Sequence, residues 1–418
     1  MINAVGMIVE YNPFHNGHLQ HLNEAKRLSG STYSIAVMSG NFLQRGEPSI
    51  TDKWSRASLA VRAGVDLVIE LPAVFAVRSA QYFATGGIQL LERLGIVSHV
   101  CFGAETPEVQ LLKNFADALN QNTVIESLRQ EMKNGKTYAA SLSTVLSASF
   151  KAESNLLKSP NNVLAVEYLR AISHHAPQLI PLAIKRLEAN YHDKLITSSI
   201  ASATAIRTAI INNGVLAPAS AAWQAVPPAC ARQMNDLISA GKAPVAAESF
   251  STVILARLRT MCLEEIAVLP DVSEGLHHKI SEAAFKAATI QELLMYIKSK
   301  RYTLTRLQRI IIHALLGTNK TTIARFDQTG PLYARVLAFN NNGRILLKEI
   351  DKQATIPVIT KTSHFLTSKQ QKQHGLSALQ SMLAYDVAAT NVYVLGFPNC
   401  AWRSGNQDFL VSPHYISG

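Results

Sequence analysis

Two histidines three residues apart, His15 and His18, close the string EYNPFHNGH at Glu10–His18. On a helix that spacing puts both imidazoles on one face. Gly17 between them lacks a Cβ, so the backbone can approach a ligand closely, and Pro13 fixes the entry to the turn. A helix that starts here offers free N–H groups to an anion. Imidazoles beside them can donate hydrogen bonds to phosphate oxygens as pyrophosphate is displaced. Two plainer roles compete. The pair could ligate a metal, although no Glu or third His stands at a matching spacing, or could simply cap the helix. A second string, SSIASATAIR at Ser198–Arg207, also has a chemical use: Ser202 or Thr204 can cap a helix, and Arg207 can reach phosphates. No Ser/His/Asp order or activated cysteine setting points to a covalent nucleophile.

These groups need elements to hold them. Apolar runs of strand length occur at Ala4–Val9, Ser34–Met38, Asp66–Ile69 and Val97–Phe102. Helical patterns at Leu19–Leu28, Trp54–Ala63 and Tyr82–Leu94 alternate with them. That order predicts βαβ units in a parallel α/β sheet with right-handed crossovers, whose carboxyl strand ends bind ligands. EYNPFHNGH leaves the first strand and opens the first helix. Helices are expected from Glu108 to Ile172, then a strand at Leu179–Ile184 and a helix from Ser202. The Ala/Pro/Gly-rich stretch Gly214–Pro228 marks the expected boundary between a domain at 1–214 and a mostly helical one at 229–418. In the latter, helices are expected at Phe250–Cys262, His277–Ala287 and Gln291–Ser299, and strands at Val336–Phe339, Ile356–Ile359 and Val392–Leu395.

The chain of 418 residues has a formal net charge of +11. Lys298–Lys372 holds 14 Lys and Arg against Asp327, Glu349 and Asp351, so the remaining residues balance at 26 of each sign. An acidic partner would therefore meet one region. Within it, Lys298, Lys300, Arg301, Tyr302, Arg306 and Arg309 combine cations with a ring, a composition suited to RNA. Arg325, Arg335, Arg344 and Lys348 are candidates to extend that surface. His174–His175 and His277–His278 are adjacent pairs that point apart on a helix and read as surface residues. The scattered cysteines Cys101, Cys230, Cys262 and Cys400 fit a reducing cytoplasm, and no window reaches a membrane span.

The first string at a strand-to-helix turn and the second at a helix start resemble nucleotidylyltransferases with a HIGH-type signature. The strings EYNPFHNGH, MSGNFLQRGEP (Met38–Pro48), DLVIELP (Asp66–Pro72), SPNN (Ser159–Asn162) and KRYTLTRLQR (Lys300–Arg309) narrow the resemblance to the tRNA(Met) cytidine acetate ligase family. It runs from Val5 to about Leu395. The resemblance implies a Rossmann-like sheet, ATP as co-substrate with Mg2+ on its phosphates, and acetate activated as acetyl-adenylate. The acetyl group would then pass to the wobble cytidine of elongator tRNA(Met). It implies that Ile8, Val9, Glu10, Tyr11, Asn12, Pro13, Phe14, His15, Asn16, Gly17, His18, Leu19, Gln20 and His21 form the ATP-binding turn. Gly103, Asn161, Arg186 and Leu187 would complete the nucleotide site, with His15, His18 and Arg207 as the catalytic set and no protein metal cage. A small-molecule adenylyltransferase carries the same two signatures but is typically shorter. An RNA-binding protein with a degenerate nucleotide site is the third reading, which ATP binding separates from the others.

Overall fold

The computed structural model describes residues 2–133, 136, 138–147, 156–157, 159–186, 201–273 and 275–417. Its centre is an eight-stranded sheet made of β1 (Ala4–Val9), β2 (Tyr33–Ser39), β3 (Leu67–Leu71), β4 (Val97–Ala104), β5 (Ile180–Lys185), β6 (Ala334–Phe339), β7 (Val358–Ile359) and β8 (His414–Tyr415). The order is β5-β4-β1-β2-β3-β6-β7, with β8 against β6. The first five strands are parallel, as the apolar runs predict, and β2 and β3 are buried almost throughout because helices cover both faces.

The strand order reverses at β1. The chain passes through helix α1 (Asn16–Ser29) to β2, continues through α2 (Lys53–Arg62) to β3, then returns through the helix Ala80–Arg93 to β4 on the other side of β1. Such a reversal opens a crevice beyond the carboxyl ends of the strands. The turn after β1 and the end of β4 both face it.

Two expectations are corrected here. The stretch Gly214–Pro228 does not divide the sheet from a separate helical domain. β6 pairs antiparallel with β3, and β7 and β8 join β6, so the C-terminal region completes the N-terminal sheet. The helices of 251–329 form a layer with its own apolar core, but Phe42, Ala73 and Val77 of the N-terminal half and Ala389, Tyr393 and Phe397 share that core. The second correction is Val392–Leu395, which ends the helix Ala378–Tyr393 and starts a 3-10 turn rather than forming a strand. Met382, Leu383, Asp386, Val387, Thr390 and Tyr393 are buried at helical spacing, and a Ser377/Gln380 capping box starts that helix, so tertiary packing overrides the local β-branched composition.

A buried ionic group ties the C-terminal return to the sheet. Lys53 Nζ lies 2.8 Å from both Glu70 Oε1 and Asp408 Oδ1, and Arg335 Nη2 pairs with Asp408. All four residues are buried, and two cations face two carboxylates, which is the condition for charges to persist away from water. Arg335 is therefore part of the interior, not of a surface open to a partner.

Candidate active site

His15 is the N-cap of α1 in extended conformation. Its Nδ1 accepts the Gly17 N–H at 3.1 Å, while its own N–H donates to His18 Nδ1 at 3.3 Å. Both Nδ1 atoms act as acceptors, so the proton of each neutral ring sits on Nε2. The rings stack with centroids 3.7 Å apart, and Tyr11 and Phe14 pack against the His18 ring. Burial drives the His15 pKa down to about 3, and the positive charges of Arg186 and Arg207 push the same way. His18 is also lowered well below 6.5, by burial and then by His15 and Arg186. His21 falls to about 4 for similar reasons. The turn thus presents neutral Nε2–H donors between two fixed cations, an arrangement that favours phosphate.

The turn is held from several sides. Tyr11 sits at φ 46, a region that bulky residues rarely adopt. Asn12 Oδ1 accepts the Ile50 N–H at 2.7 Å, and the Asn12 carbonyl accepts Arg207 Nη1 at 2.9 Å. Arg207 comes from the helix Ala203–Asn213, whose N-cap is Ser202, as one of the two predicted candidates. Its Nη2 also meets Glu47 Oε1 at 3.3 Å. Glu10 is half-buried and accepts the Gln44 N–H at 2.7 Å. Burial raises its pKa, with the charge of Glu47 acting in the same direction. The side-chain atoms Tyr11 Oη, Asn12 Nδ2 and His21 Nε2 are buried with no hydrogen-bond partner among the described residues. Polar atoms in that state fit a site completed by a polar ligand.

Across the crevice, Gly103 is the penultimate residue of β4, and a Cβ there would stand 2.9 Å from Arg186 Cγ. In this structure the arginine stem covers the glycine. Arg186 Nη1 donates to Asn161 Oδ1 at 2.9 Å, and Asn161 Nδ2 donates to Glu105 Oε1 at 2.6 Å. Glu105 Oε2 also accepts the Asn162 N–H, so a carboxylate occupies the N-terminus of the helix Pro160–His175. The proposed nucleotide residues Gly103, Asn161 and Arg186 are thus brought together. Leu187, and Ser198 of the second string, lie outside the described residues.

The sequence reading missed Arg56 and Gly46. Arg56 is wholly buried in α2, where its guanidinium donates to the carbonyls of Glu10, Ser39 and Gly40, joining the carboxyl ends of β1 and β2. An arginine inside the apolar face of α2 was the available signal. Gly46, at φ 77, lies in the loop Asn41–Pro48, and a Cβ there would stand 2.2 Å from Arg309 N and 2.4 Å from Gln308 C. The loop that carries Gln44 and Glu47 therefore docks on the helix Leu304–Leu316.

The basic stretch divides into two groups. Lys298, Lys300 and Arg301 are exposed, the last two at the tip of a tight turn bridged by Ser299 and Tyr302. The others face inward, contrary to a wholly RNA-facing surface. Tyr302 is buried, Arg306 donates to the Asp271 carbonyl and Ser273 Oγ, and Arg309 Nε donates to Asp271 Oδ2 at 3.0 Å. With Leu307, Ile310 and Ile311 in the core, this face of the helix closes the 271–273 loop. Arg325, Arg344 and Lys348 are exposed, whereas Arg335 belongs to the buried ionic group. Of the histidine pairs, His174, His175 and His278 are exposed and His277 is half-buried.

Residues 2–408 match the HIGH Nucleotidyl Transferase family. The tRNA(Met) cytidine acetate ligase of Alkaliphilus metalliredigens is 40% identical, with 99% of each chain covered. That of Acetivibrio thermocellus is 39% identical, with 98% of each covered. The crystal structure of Thermotoga maritima TmcAL bound with alpha-thio ATP superposes with a TM-score of 0.91 at 31% identity, covering all of both chains. The apo form of that enzyme gives 0.93.

Proposed function

The chain belongs to the HIGH nucleotidyl transferase family and, within it, to the tRNA(Met) cytidine acetate ligases; we propose from this that it uses ATP to join acetate to the wobble cytidine of elongator tRNA(Met). The observation that carries the chemistry is the stacked His15–His18 pair, neutral and flanked by Arg186 and Arg207, at the reversal point of the sheet. ATP binds with its phosphates at the N-terminus of α1. A carboxylate oxygen of acetate attacks the α-phosphorus, the bond to the β-phosphate oxygen breaks, and pyrophosphate leaves. The Nε2–H groups and Arg207 stabilise the charge that builds on the phosphate oxygens. The exocyclic amine of cytidine then attacks the acetyl carbon, AMP departs, and the amine loses a proton to give N(4)-acetylcytidine. Positioning and charge stabilisation suffice for both steps, with no covalent enzyme intermediate.

A magnesium ion carried in on the ATP phosphates would neutralise charge on the departing pyrophosphate and would need no dedicated ligands from the chain. Among the described residues no group of three His, Cys, Asp or Glu gathers to hold a metal ion. Lys298, Lys300 and Arg301 take tRNA phosphates, supported by their exposure. All four cysteines are free thiols, which supports the reducing cytoplasm where tRNA and ATP are found. Among the described residues no helix is long and apolar enough to cross a membrane.

Incubation with ATP, radiolabelled acetate and elongator tRNA(Met) should give labelled acetylcytidine together with AMP and pyrophosphate. A requirement for acetyl-CoA in place of free acetate would defeat the reading.

A further inference from the structure

The ring that the sequence offers for base stacking, Tyr302, is buried, yet large apolar side chains stand in water on the two helices that precede it in the chain. The helix Leu276–Lys286 buries Ile280, Ala283 and Ala284 and leaves Phe285 66% exposed. The helix Ile290–Ile297 packs in the same core through Ile290, Leu293 and Ile297, and leaves Met295 63% and Tyr296 42% exposed. Two exposed rings and a methionine on consecutive short helices are unusual for a face meant only for solvent. Cations outnumber acids along the chain from here on, although Glu282, three residues before Phe285 on the same helix, is also exposed. Lys286, Lys298 and Lys300 are exposed, and between Phe285 and Arg301 the chain has four cations and one acid, Glu292. That carboxylate is engaged with the Ala288 N–H at 2.8 Å. Helix Leu304–Leu316 follows directly and carries the backbone against which Gly46 of the active-site loop is docked. The patch is thereby mechanically registered to the adenylating turn.

We propose that Phe285, Met295 and Tyr296 form a stacking surface for unpaired bases of the tRNA, with Lys286, Lys298 and Lys300 on the neighbouring phosphates. Single-stranded RNA is the occupant that both halves of the patch fit. Its bases offer flat apolar faces to rings, and its backbone offers charge to the lysines. The inference rests on the reading of the chain as a tRNA ligase. It adds a second kind of contact to the electrostatic one, made by residues outside the basic Lys298–Lys372 segment.

The two contacts have different salt signatures, because a ring displaces no counterions and a lysine does. The test is tRNA binding at several KCl concentrations for the parent, Phe285→Ala with Tyr296→Ala, and Lys298→Ala with Lys300→Ala. A fully paired RNA duplex of similar length is the second probe. The ring variant should bind tRNA about tenfold or more weakly with the parent's salt slope, and lose less toward the duplex. The lysine variant should have a slope shallower by roughly 0.7–0.9 for each phosphate that a lysine no longer neutralises. Tyr296→Phe, which keeps a ring, should bind like the parent, and thermal unfolding should show all variants folded. If the parent acetylates tRNA but the ring variant binds it within about twofold of the parent, the stacking surface is overturned while the ligase reading stands. If the parent neither binds nor acetylates tRNA, both fall. A ring variant that changes only its sedimentation, with tRNA affinity intact, makes the patch a contact between copies of the chain and overturns the proposal.

Discussion

Gly46→Ala is a small change with a large expected effect on catalysis. The residue sits at φ 77, and its new Cβ would lie 2.2 Å from Arg309 N, where ordinary van der Waals contact begins at 3.4 Å. The obstacle is helix backbone, which cannot swing aside as a side chain would. The loop must therefore lift by more than about 1 Å or leave the left-handed conformation. Left-handed backbone costs a non-glycine residue roughly 1–2 kcal/mol, and forced overpacking about 1–3 kcal/mol. Together about 2–5 kcal/mol is set against the docked loop, or about thirtyfold or more in its docking equilibrium. Lifting the loop moves Gln44 away from Glu10 and Glu47 away from Arg207, which loosens the turn that carries His15 and His18. A displacement of about 1 Å at reacting groups can cost on the order of 100-fold in rate. Acetate-dependent exchange of pyrophosphate into ATP measures adenylate formation alone. The variant should fall by about 100-fold with a modestly lower unfolding temperature. Exchange within about twofold of the parent would refute the claim that this contact sets the active-site loop.

Three other outcomes follow from the same geometry. His18→Ala removes one of the two donors proposed to meet phosphate and should slow pyrophosphate exchange by roughly 100- to 1000-fold while leaving tRNA affinity nearly intact; an effect under tenfold would remove His18 from the reacting centre. His15 is about 3 and His21 about 4 in the folded chain against an ordinary 6.5, so the unfolded chain binds the extra protons between those values. Their contribution to stability is complete above about pH 6.5 and declines as pH falls toward 4, by about 1.4 kcal/mol per pH unit for each ring. Nitrogen NMR of labelled histidine should show the Nε2–H tautomer for His15 and His18 at pH 7, and a titration midpoint near 6.5 would contradict it. Burial raises the Asp271 pKa, and the charge and hydrogen bond of Arg309, with His313 and Arg306, together hold it down; Arg309→Ala removes the largest of these opposing groups. With the Asp271 side chain 32% exposed, solvent softens the loss to about 1–2 kcal/mol, seen as a lower unfolding temperature with an unchanged salt slope for tRNA.

The parallel half of the sheet is legible because β1 to β5 are short apolar runs separated by amphipathic helices, a local pattern. The turn Glu10–His18 is legible for a related reason: its chemistry and its fold both sit within nine consecutive residues. What escapes is long-range. Nothing local says that β6 should pair with β3, or that Arg335 should turn inward to Asp408, although its place inside the apolar run ARVLAF is a trace of it. Arg306 and Arg309 share the expected helix face, but that face meets the 271–273 loop, which no periodicity reveals. Charge counting found the basic segment and could not separate its interior cations from its surface ones. Phe285 and Tyr296 were hidden in helices whose other faces are ordinary core, so their exposure appears only once the helices are packed.

The claim on which the rest depends is that acetate itself attacks the α-phosphorus of ATP at the His15–His18 turn. Acetate labelled with oxygen-18 in both carboxylate positions tests it in one reaction with ATP and elongator tRNA(Met). One labelled oxygen should pass to the phosphate of AMP, raising its mass by about 2 units, and the other should remain in the acetyl group on cytidine. Unlabelled AMP formed alongside labelled acetylcytidine would contradict an acetyl-adenylate and the account built on it.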